Sequence, residues 1–502
     1  MEGVVGRVWL CGSHVDTVPS GGDYDGVAGV LTALELLRSA KDDGVVLPLE
    51  LVIFAEEEGP TFGLGMIGAR AWVGELDERR LGELRNSVGE SYLEAGKAFG
   101  VDPSRFAAER FDGSRYLGLI ESHIEQGPGM WRRDERVAVV RAIAGRRQYR
   151  VVVHGEANHA GATSMGDRKD ALAGAAEMVV GLESAVKDLS GDAVVTVGRM
   201  SVTPNAVNVI AERVEFTVDF RAPEDAVLER GDGRIRAVVD VLARERKLPY
   251  ELVQTEAIPA RPMDARLVAA LRGGGLPVTV SGALHDSAVM SPFLPTVMVF
   301  VPSKGGISHN PAEFSRVEDV ADATRLIEKL VRRPLLSAVS AMGREAFVAV
   351  AGVFYEHSPW IAERAWEGRP FRDLKHLAET MSRVVRAATA DEQLGLIRAH
   401  PDLVGRLARE GKLTAESSRE QAAAGLRELS AAEVERFEKF NAKYQGKFGF
   451  PFVICARENK KEAILAAFPG RLGNSVEAEV ATALGEIDRI AWLRMNDAIW
   501  ED

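Results

Sequence analysis

At 502 residues, 46% apolar and 27% charged, the chain is too long for one hydrophobic core and too apolar for disorder, so roughly two to four domains are expected. A formal net charge of −12 without a Lys/Arg block argues against a nucleic-acid partner, and the most apolar run, Val289 to Val301, is broken by Ser291, Pro292 and Pro295, which excludes a membrane span. Two distant cysteines, Cys11 and Cys455, fit a reducing cytoplasm and no disulfide framework. In chain order, strand Val8 to Cys11, helix Gly26 to Leu37 and strand Leu49 to Phe54 lead into helical Leu64 to Val73 and Asp77 to Phe99, an α/β alternation. Period-two strands then dominate: Tyr149 to Val153, Val194 to Val197 and Val214 to Phe220, with helices Asp170 to Leu189 and Pro223 to Arg246. This texture predicts a separate α+β insert over 142–254. Strands Pro277 to Val280 and Val297 to Val301 complete the first domain, 1–141 and 255–333, and Ser315-x-x-Glu318 reads as a capping box for a helix ended by Arg332-Arg-Pro334. From 335 to 502 strand signals nearly vanish. Helices are expected over Arg344 to Val353, Leu374 to Ala388, Asp391 to Arg398, Ser418 to Leu426, Ala431 to Gln445 and Val476 to Met495.

Chemistry-bearing residues gather at the strand ends of the first domain. Gly12-Ser-His14-Val-Asp16 and Gly22-Asp23-Tyr-Asp25-Gly26 follow the first strand, Glu56-Glu57-Glu58-Gly59 the second, and Glu121-Ser-His123-Ile-Glu125-Gln126 and Ser308-His309-Asn lie farther on. His14 and Asp16 alternate by two, so the aspartate is expected to hold one imidazole nitrogen while the other takes a metal. Consecutive carboxylates repel, and stacking them near histidines makes sense if divalent cations neutralise them. Histidine and carboxylate ligands suit zinc or manganese, since neither cysteine lies in these motifs. Gly63-Leu-Gly65-Met-Ile-Gly68 fits a dinucleotide pattern literally, but anionic phosphates there would meet the glutamates.

These segments, from about Arg7 to Arg333, resemble the binuclear metallopeptidase-type amidohydrolases that cleave N-carbamoyl groups, in the branch of allantoate amidohydrolases and N-carbamoyl-amino-acid hydrolases. The resemblance implies an α/β metallohydrolase domain with an inserted lid and dimerisation domain. His14, Asp25 and His123 would hold one metal, and Asp25, Glu58 and His309 the other, with Asp25 bridging. Glu57 would carry the proton of the attacking water, and His159 in Ala157-Asn-His159-Ala-Gly161 would polarise the scissile carbonyl, commonly from a partner subunit. Asn208 and Arg221 match holders of a substrate carboxylate, and Gln126 a contact to the ureido end. Three departures are visible. The chain begins almost at the first metal-binding strand, so an N-terminal helix and strand are expected to be missing; Pro60-Thr61-Phe62 replaces Ser-Arg-Phe; and Leu284 stands where glycine is common.

The helical third carries its own signature: Glu356-His357-Ser-Pro359-Trp360, Arg398-Ala-His400-Pro401-Asp402, Ser417-Ser-Arg-Glu420-Gln421, Phe448-Gly-Phe450-Pro-Phe452 and Arg494. From about Phe347 to Met495 it resembles the decarboxylases acting on 2-oxo-4-hydroxy-4-carboxy-5-ureidoimidazoline. The resemblance implies His400 as acid/base, oriented with Glu420, no cofactor, and substrate held by Pro401, Ser417, Gln421 and Arg494. Together the two halves predict a cytoplasmic, homodimeric, bifunctional ureide-catabolism enzyme with small ureide substrates and two divalent ions, manganese or zinc, in the hydrolase. Two alternatives stand beside it: a carbamoyl-amino-acid hydrolase in the first half, or a first half that is an inactive dimerisation scaffold.

Overall fold

The computed structural model describes residues 7–501 apart from 103, 104, 107, 274, 405–413, 415, 416, 418, 419, 422, 423, 427 and 428. The chain divides after Val331 into two units.

The first unit begins with β1 (Val8–His14), α1 (Val27–Asp42), β2 (Leu49–Phe54), α2 (Ile67–Trp72), α3 (Glu78–Glu83), α4 (Tyr92–Ala98), β3 (Tyr116–Ile124), α5 (Gly129–Arg133) and β4 (Ala138–Ile143). An insert follows: β5 (Gly145–His154), α6 (Ala171–Lys187), β6 (Val194–Thr196), β7 (Met200–Thr203), β8 (Arg213–Ala222), α7 (Asp225–Arg246) and β9 (Tyr250–Ile258). Then come β10 (Arg261–Pro262), α8 (Ala265–Arg272), β11 (Val278–Ser281), α9 (Asp286–Met290), β12 (Thr296–Val301) and α10 (Val317–Val331). Seven strands form one mixed sheet in the order β10-β4-β12-β3-β1-β2, with β11 also on β4. Its four neighbours β12, β3, β1 and β2 are mutually parallel, and β1 and β3 are buried along their whole length, as a sheet covered on both faces requires. The insert is an antiparallel sheet, β6-β8-β5-β9 with β7 on β8, whose one face packs on α6 and α7 around Tyr149, Phe216 and Phe220. In β8 buried and half-buried residues alternate strictly, the pattern of a sheet covered on one face.

Within the first unit the structure adds detail to, or departs from, several expectations. β1 runs three residues past Cys11, so His14 is itself in the strand. The single helix expected over Asp77 to Phe99 is two, because Asn86 turns the chain by accepting from the Val88 and Glu90 amides, and a Ser91/Glu94 capping box starts α4 afresh. β9 continues through Ile258 in register with β5, so the insert's sheet extends beyond the expected boundary at 254. Ser315, expected to open a capping box, donates its hydroxyl to the Pro302 carbonyl at 2.9 Å and ties the loop after β12 down.

The second unit is helical: α11 (Leu336–Ala341), α12 (Arg344–Ala351), α13 (Trp360–Ala365), α14 (Leu374–Ala387), α15 (Ala390–Ala399), α16 (Ala431–Phe448), α17 (Lys461–Arg471) and α18 (Val476–Ala498). α11, α13 and α17 were not anticipated; the first two are a turn or two long, and α17 contains Pro469, which argues against a helix by propensity. Tertiary burial overrides it, since Ile464, Leu465 and Phe468 join the aromatic core of Phe437, Tyr444, Phe450 and Phe452. The helix expected over Ser418 to Leu426 falls largely outside the described residues. Among the described residues no helix is long and apolar enough to cross a membrane.

Candidate active sites

Four adjacent parallel strands deliver the first cluster from their carboxyl ends, the edge where open α/β sheets place their chemistry. His14 ends β1, His123 lies near the end of β3, Glu57 and Glu58 follow β2, and His309 follows β12, while Asp25 sits in the turn before α1. Asp25 is central. Its Oδ1 lies 3.0 Å from His123 Nε2 and 3.7 Å from His14 Nε2, while Oδ2 lies 3.2 Å from His309 Nε2, which is itself 3.2 Å from Glu58 Oε1. The two carboxylate oxygens therefore face two different sets of donors. Gly26, at φ +67°, abuts the His14 ring, and a Cβ there would strike it. Glu56, Gln126 and His309 also hold positive φ (55°, 58° and 54°), backbone strain concentrated at the cleft.

The surrounding hydrogen bonds set the tautomers. His14 Nδ1 is 3.0 Å from the Asp16 carbonyl and His123 Nδ1 is 2.9 Å from that of Ile124, so each Nδ1 carries a proton for a carbonyl, and in the neutral ring each Nε2 is the nitrogen left to offer a lone pair on Asp25's side. The Asp16 carboxylate, expected to hold the His14 ring, stays 3.8 Å away and instead accepts the Glu58 amide at 3.1 Å. Glu313, which the sequence reading missed, accepts the Tyr24 and Asp25 amides at 3.0 Å each and fixes the turn from 288 residues away. Gln126 donates to Asp25 Oδ2 at 2.8 Å, as does Ser308 at 3.1 Å.

The residues fit a pair of divalent cations. Asp25 Oδ1, Glu58 Oε1 and His123 Nε2 are buried atoms without a hydrogen-bond partner, a costly arrangement unless something binds all three. Ligand atoms of His14, Asp25 and His123 gather within 4.8 Å of one another, as do those of Asp25, Glu58 and His309. Without cations the charges strain against each other. Burial, together with the charges of Asp286 and Glu58, pushes Glu57 well above the carboxylate range. Burial and the Asp25 charge push Glu58 up to about 7. Burial opposes charge on Asp25 and His123 as well, but without cations the attraction between the two groups, 3.0 Å apart, wins, holding Asp25 low and His123 up at about 9.

The same cleft is lined by Gln126, Arg221, Arg146, Arg70, Leu284 and the Gly63 to Met66 loop, so the glycine-rich run shapes a cavity wall. Arg221 donates to Asp219 at 2.8 Å and to the Gly282 carbonyl at 2.7 Å. His159 and Asn208 are not brought there. Both are exposed, on neighbouring segments joined by the His159–Val209 bridge and the Ala160-to-Asn208 hydrogen bond.

In the helical unit a smaller cleft is lined by His400, Pro401, Ser417, Glu420, Gln421 and the Phe452 to Ile454 segment. His400 caps the end of α15, where its Nδ1 donates to the Leu396 carbonyl at 3.1 Å and its buried Nε2 has no partner. Burial pushes its pKa down to about 4, so at neutral pH Nε2 is a base. Sequence reasoning paired His400 with Glu420. In the structure Glu420 is gripped by Arg494, Nε to Oε1 at 2.8 Å and Nη2 to Oε2 at 2.9 Å, while the carbonyl of Leu396 orients the ring. Arg494 also reaches Glu356 at 2.9 Å and Ser417 Oγ and the Val353 carbonyl at 3.4 Å each, so all the N–H donors of its fork have acceptors within the protein. His357, beside Glu356, is exposed.

A family model for peptidase family M20/M25/M40 matches residues 10–333, and one for OHCU decarboxylase matches residues 340–496. An N-carbamoyl-L-amino acid amidohydrolase of Geobacillus stearothermophilus is 38% identical over 323 residues, covering 62% of this chain and 78% of the relative. The allantoate amidohydrolase of Bacillus subtilis is 34% identical over 334 residues, 65% of this chain and 80% of its own length. Among solved structures, a hydantoinase/carbamoylase-family amidase from Burkholderia multivorans superposes with a TM-score of 0.61 at 34% identity, covering 64% of this chain and 80% of that one.

Proposed function

This chain belongs to peptidase family M20/M25/M40 and carries an OHCU decarboxylase domain after it, and from that premise we propose a bifunctional enzyme of purine catabolism. The helical unit decarboxylates 2-oxo-4-hydroxy-4-carboxy-5-ureidoimidazoline to (S)-allantoin, and the first unit hydrolyses the ureido group of allantoate, releasing ammonia and carbon dioxide. The observation that carries the reading is one chain holding two chemically different clusters, one in the region similar to allantoate and N-carbamoyl-amino-acid amidohydrolases and one in the region matching OHCU decarboxylase.

His14, Asp25 and His123, and Asp25, Glu58 and His309, would hold divalent ions, manganese or zinc, which would supply Lewis-acid chemistry. Glu57, buried and 3.9 Å from His14 Nε2, takes the proton of the attacking water and returns it to the leaving amine. Arg221 and Gln126 hold the carboxylate and ureido ends. His159 and Asn208, exposed side by side, serve the cleft of a second copy, which makes the insert a lid and the enzyme a homodimer.

At the helical site, Nε2 of His400 is unprotonated and must accept a proton before it can give one. It takes the proton of the substrate 4-hydroxyl as the carboxylate leaves as carbon dioxide and the bonding pair passes to the ring imine, whose nitrogen takes a proton from solvent; His400 then returns its proton to the neighbouring ring carbon as the 4-oxygen becomes the carbonyl. Ser417 and Gln421 hold the ureido group, with Glu420 and Arg494 fixing that wall.

A carbamoyl-amino-acid hydrolase remains the second reading of the first unit, favoured by the 38% identity to such a protein. The test is metal analysis of the intact chain with product detection on freshly generated imidazoline, on allantoate and on an N-carbamoyl-L-amino acid. Allantoin from the first and ammonia from the second support the proposal; turnover of the carbamoyl amino acid alone replaces the hydrolase half of it.

A further inference from the structure

Among the described residues Glu356 belongs to no group that could hold a metal, yet it is a buried carboxylate in contact with Ser417, which lines the His400 cleft. It stands at the end of the Phe354-Tyr-Glu356 segment between α12 and α13, 138 residues before Arg494. Oε1 accepts from Thr414 Oγ1 at 2.8 Å; Oε2 accepts from Ser417 Oγ at 3.1 Å and lies 2.9 Å from Arg494 Nη1. The backbone amide of Ser417 in turn donates to Thr414 Oγ1 at 3.2 Å. One side chain thus joins two parts of the cleft wall that sequence separates: the stretch bearing Ser417, Glu420 and Gln421, and the α18 face bearing Arg494.

Arg494 grips Glu420 with Nε and Nη2, leaving Nη1 as the corner that Glu356 holds. A planar guanidinium fixed at both ends cannot swivel, so Glu420 and Ser417 are held in one orientation by a carboxylate that does not line the cleft. Burial opposes charge on Glu356, but Arg494 and the Thr414 hydroxyl outweigh it and keep the carboxylate ionised.

Resting on the decarboxylase reading above, we propose that Glu356 is a positioning residue of that reaction: it anchors Arg494, Thr414 and Ser417, and through them sets the substrate-facing geometry of Ser417 and Glu420. A group of this kind lowers turnover when altered without touching substrate, as outer partners of functional side chains do by about 10–100-fold.

The experiment measures decarboxylation by the intact chain as wild type, Glu356→Gln, Glu356→Asp, Arg494→Ala and Glu356→Gln/Arg494→Ala, with near-UV circular dichroism on each. Glu356→Gln, equal in shape, is expected to lose about 10–100-fold in kcat with KM within about threefold. Glu356→Asp keeps the charge and is expected to recover part of that loss. In the double variant, adding Glu356→Gln to Arg494→Ala should cost less than about threefold more, because both act on one device. A kcat within twofold of wild type for Glu356→Gln, or losses that multiply in the double variant, overturn the inference. So does a loss matched by collapse of the near-UV signal in both Gln and Asp variants, which assigns Glu356 to folding. A wild-type chain that produces no allantoin overturns the functional reading itself, a result distinct from all of these.

Discussion

The two clefts treat their polar groups in opposite ways. Around Asp25, buried ligand atoms of Asp25, Glu58 and His123 converge and find no hydrogen-bond partner, and the carboxylates press one another toward neutrality. Around Arg494, carboxylates and guanidinium saturate each other, and His400 Nε2 is the atom left open. The first cleft is therefore organised around charge that must come from outside the protein, the second around charge the protein supplies itself. Unsatisfied buried groups thus carry different information in each: in one they outline a cation pair, in the other a single base.

The sharpest way to break this contrast is His400→Ala, expected to lower decarboxylation by about two or more orders of magnitude while metal content and hydrolysis stay unchanged. Turnover near the wild-type rate would remove His400 from the chemistry. Glu57→Gln should keep both ions, read by elemental analysis, yet lose hydrolysis by about 100-fold or more. Chelation should abolish hydrolysis and leave decarboxylation within about twofold; a parallel loss of both would erase the distinction between the clefts. Acidity should separate them too. His400 must be neutral to act, and with its pKa pushed down to about 4 the decarboxylase rate should hold as pH falls from 7 toward 5 and drop only as pH passes through about 4. A midpoint near 6.5 in a pH–rate profile would mean that the ring is exposed to water. The smallest effect is expected from Glu313→Gln, which weakens the hold on the Asp25 turn and should cost about tenfold in metal affinity by titration.

Much of the first cleft was legible because its histidines and carboxylates cluster in short motifs after strands, and the family resemblance carried by those motifs assigned His14, Asp25, Glu58, His123 and His309 to one site; the structure brings them together. The supports were not legible. Glu313 acts on a turn 288 residues away, and Glu356, although part of the helical signature, acts on an arginine near the other end of its unit, a partnership that no sequence spacing announces. The pairing of His400 with Glu420 failed in the same way, since α15 brings its own carbonyl to the ring and the glutamate is claimed by α18. Short helices such as α13, and α17 with its internal proline, were hidden because burial, not propensity, makes them.

The saturation of Arg494 has a consequence for what could stand in its place. Lysine would match its charge, but an ammonium is one point, with its donors radiating from a single nitrogen, and it cannot lie flat between two carboxylates while also touching a hydroxyl and a carbonyl. With lysine there, at least one of Glu356 and Glu420 would lose its charge-assisted hydrogen bond although the net charge stayed the same. For this position shape, and not sign, is the property under constraint.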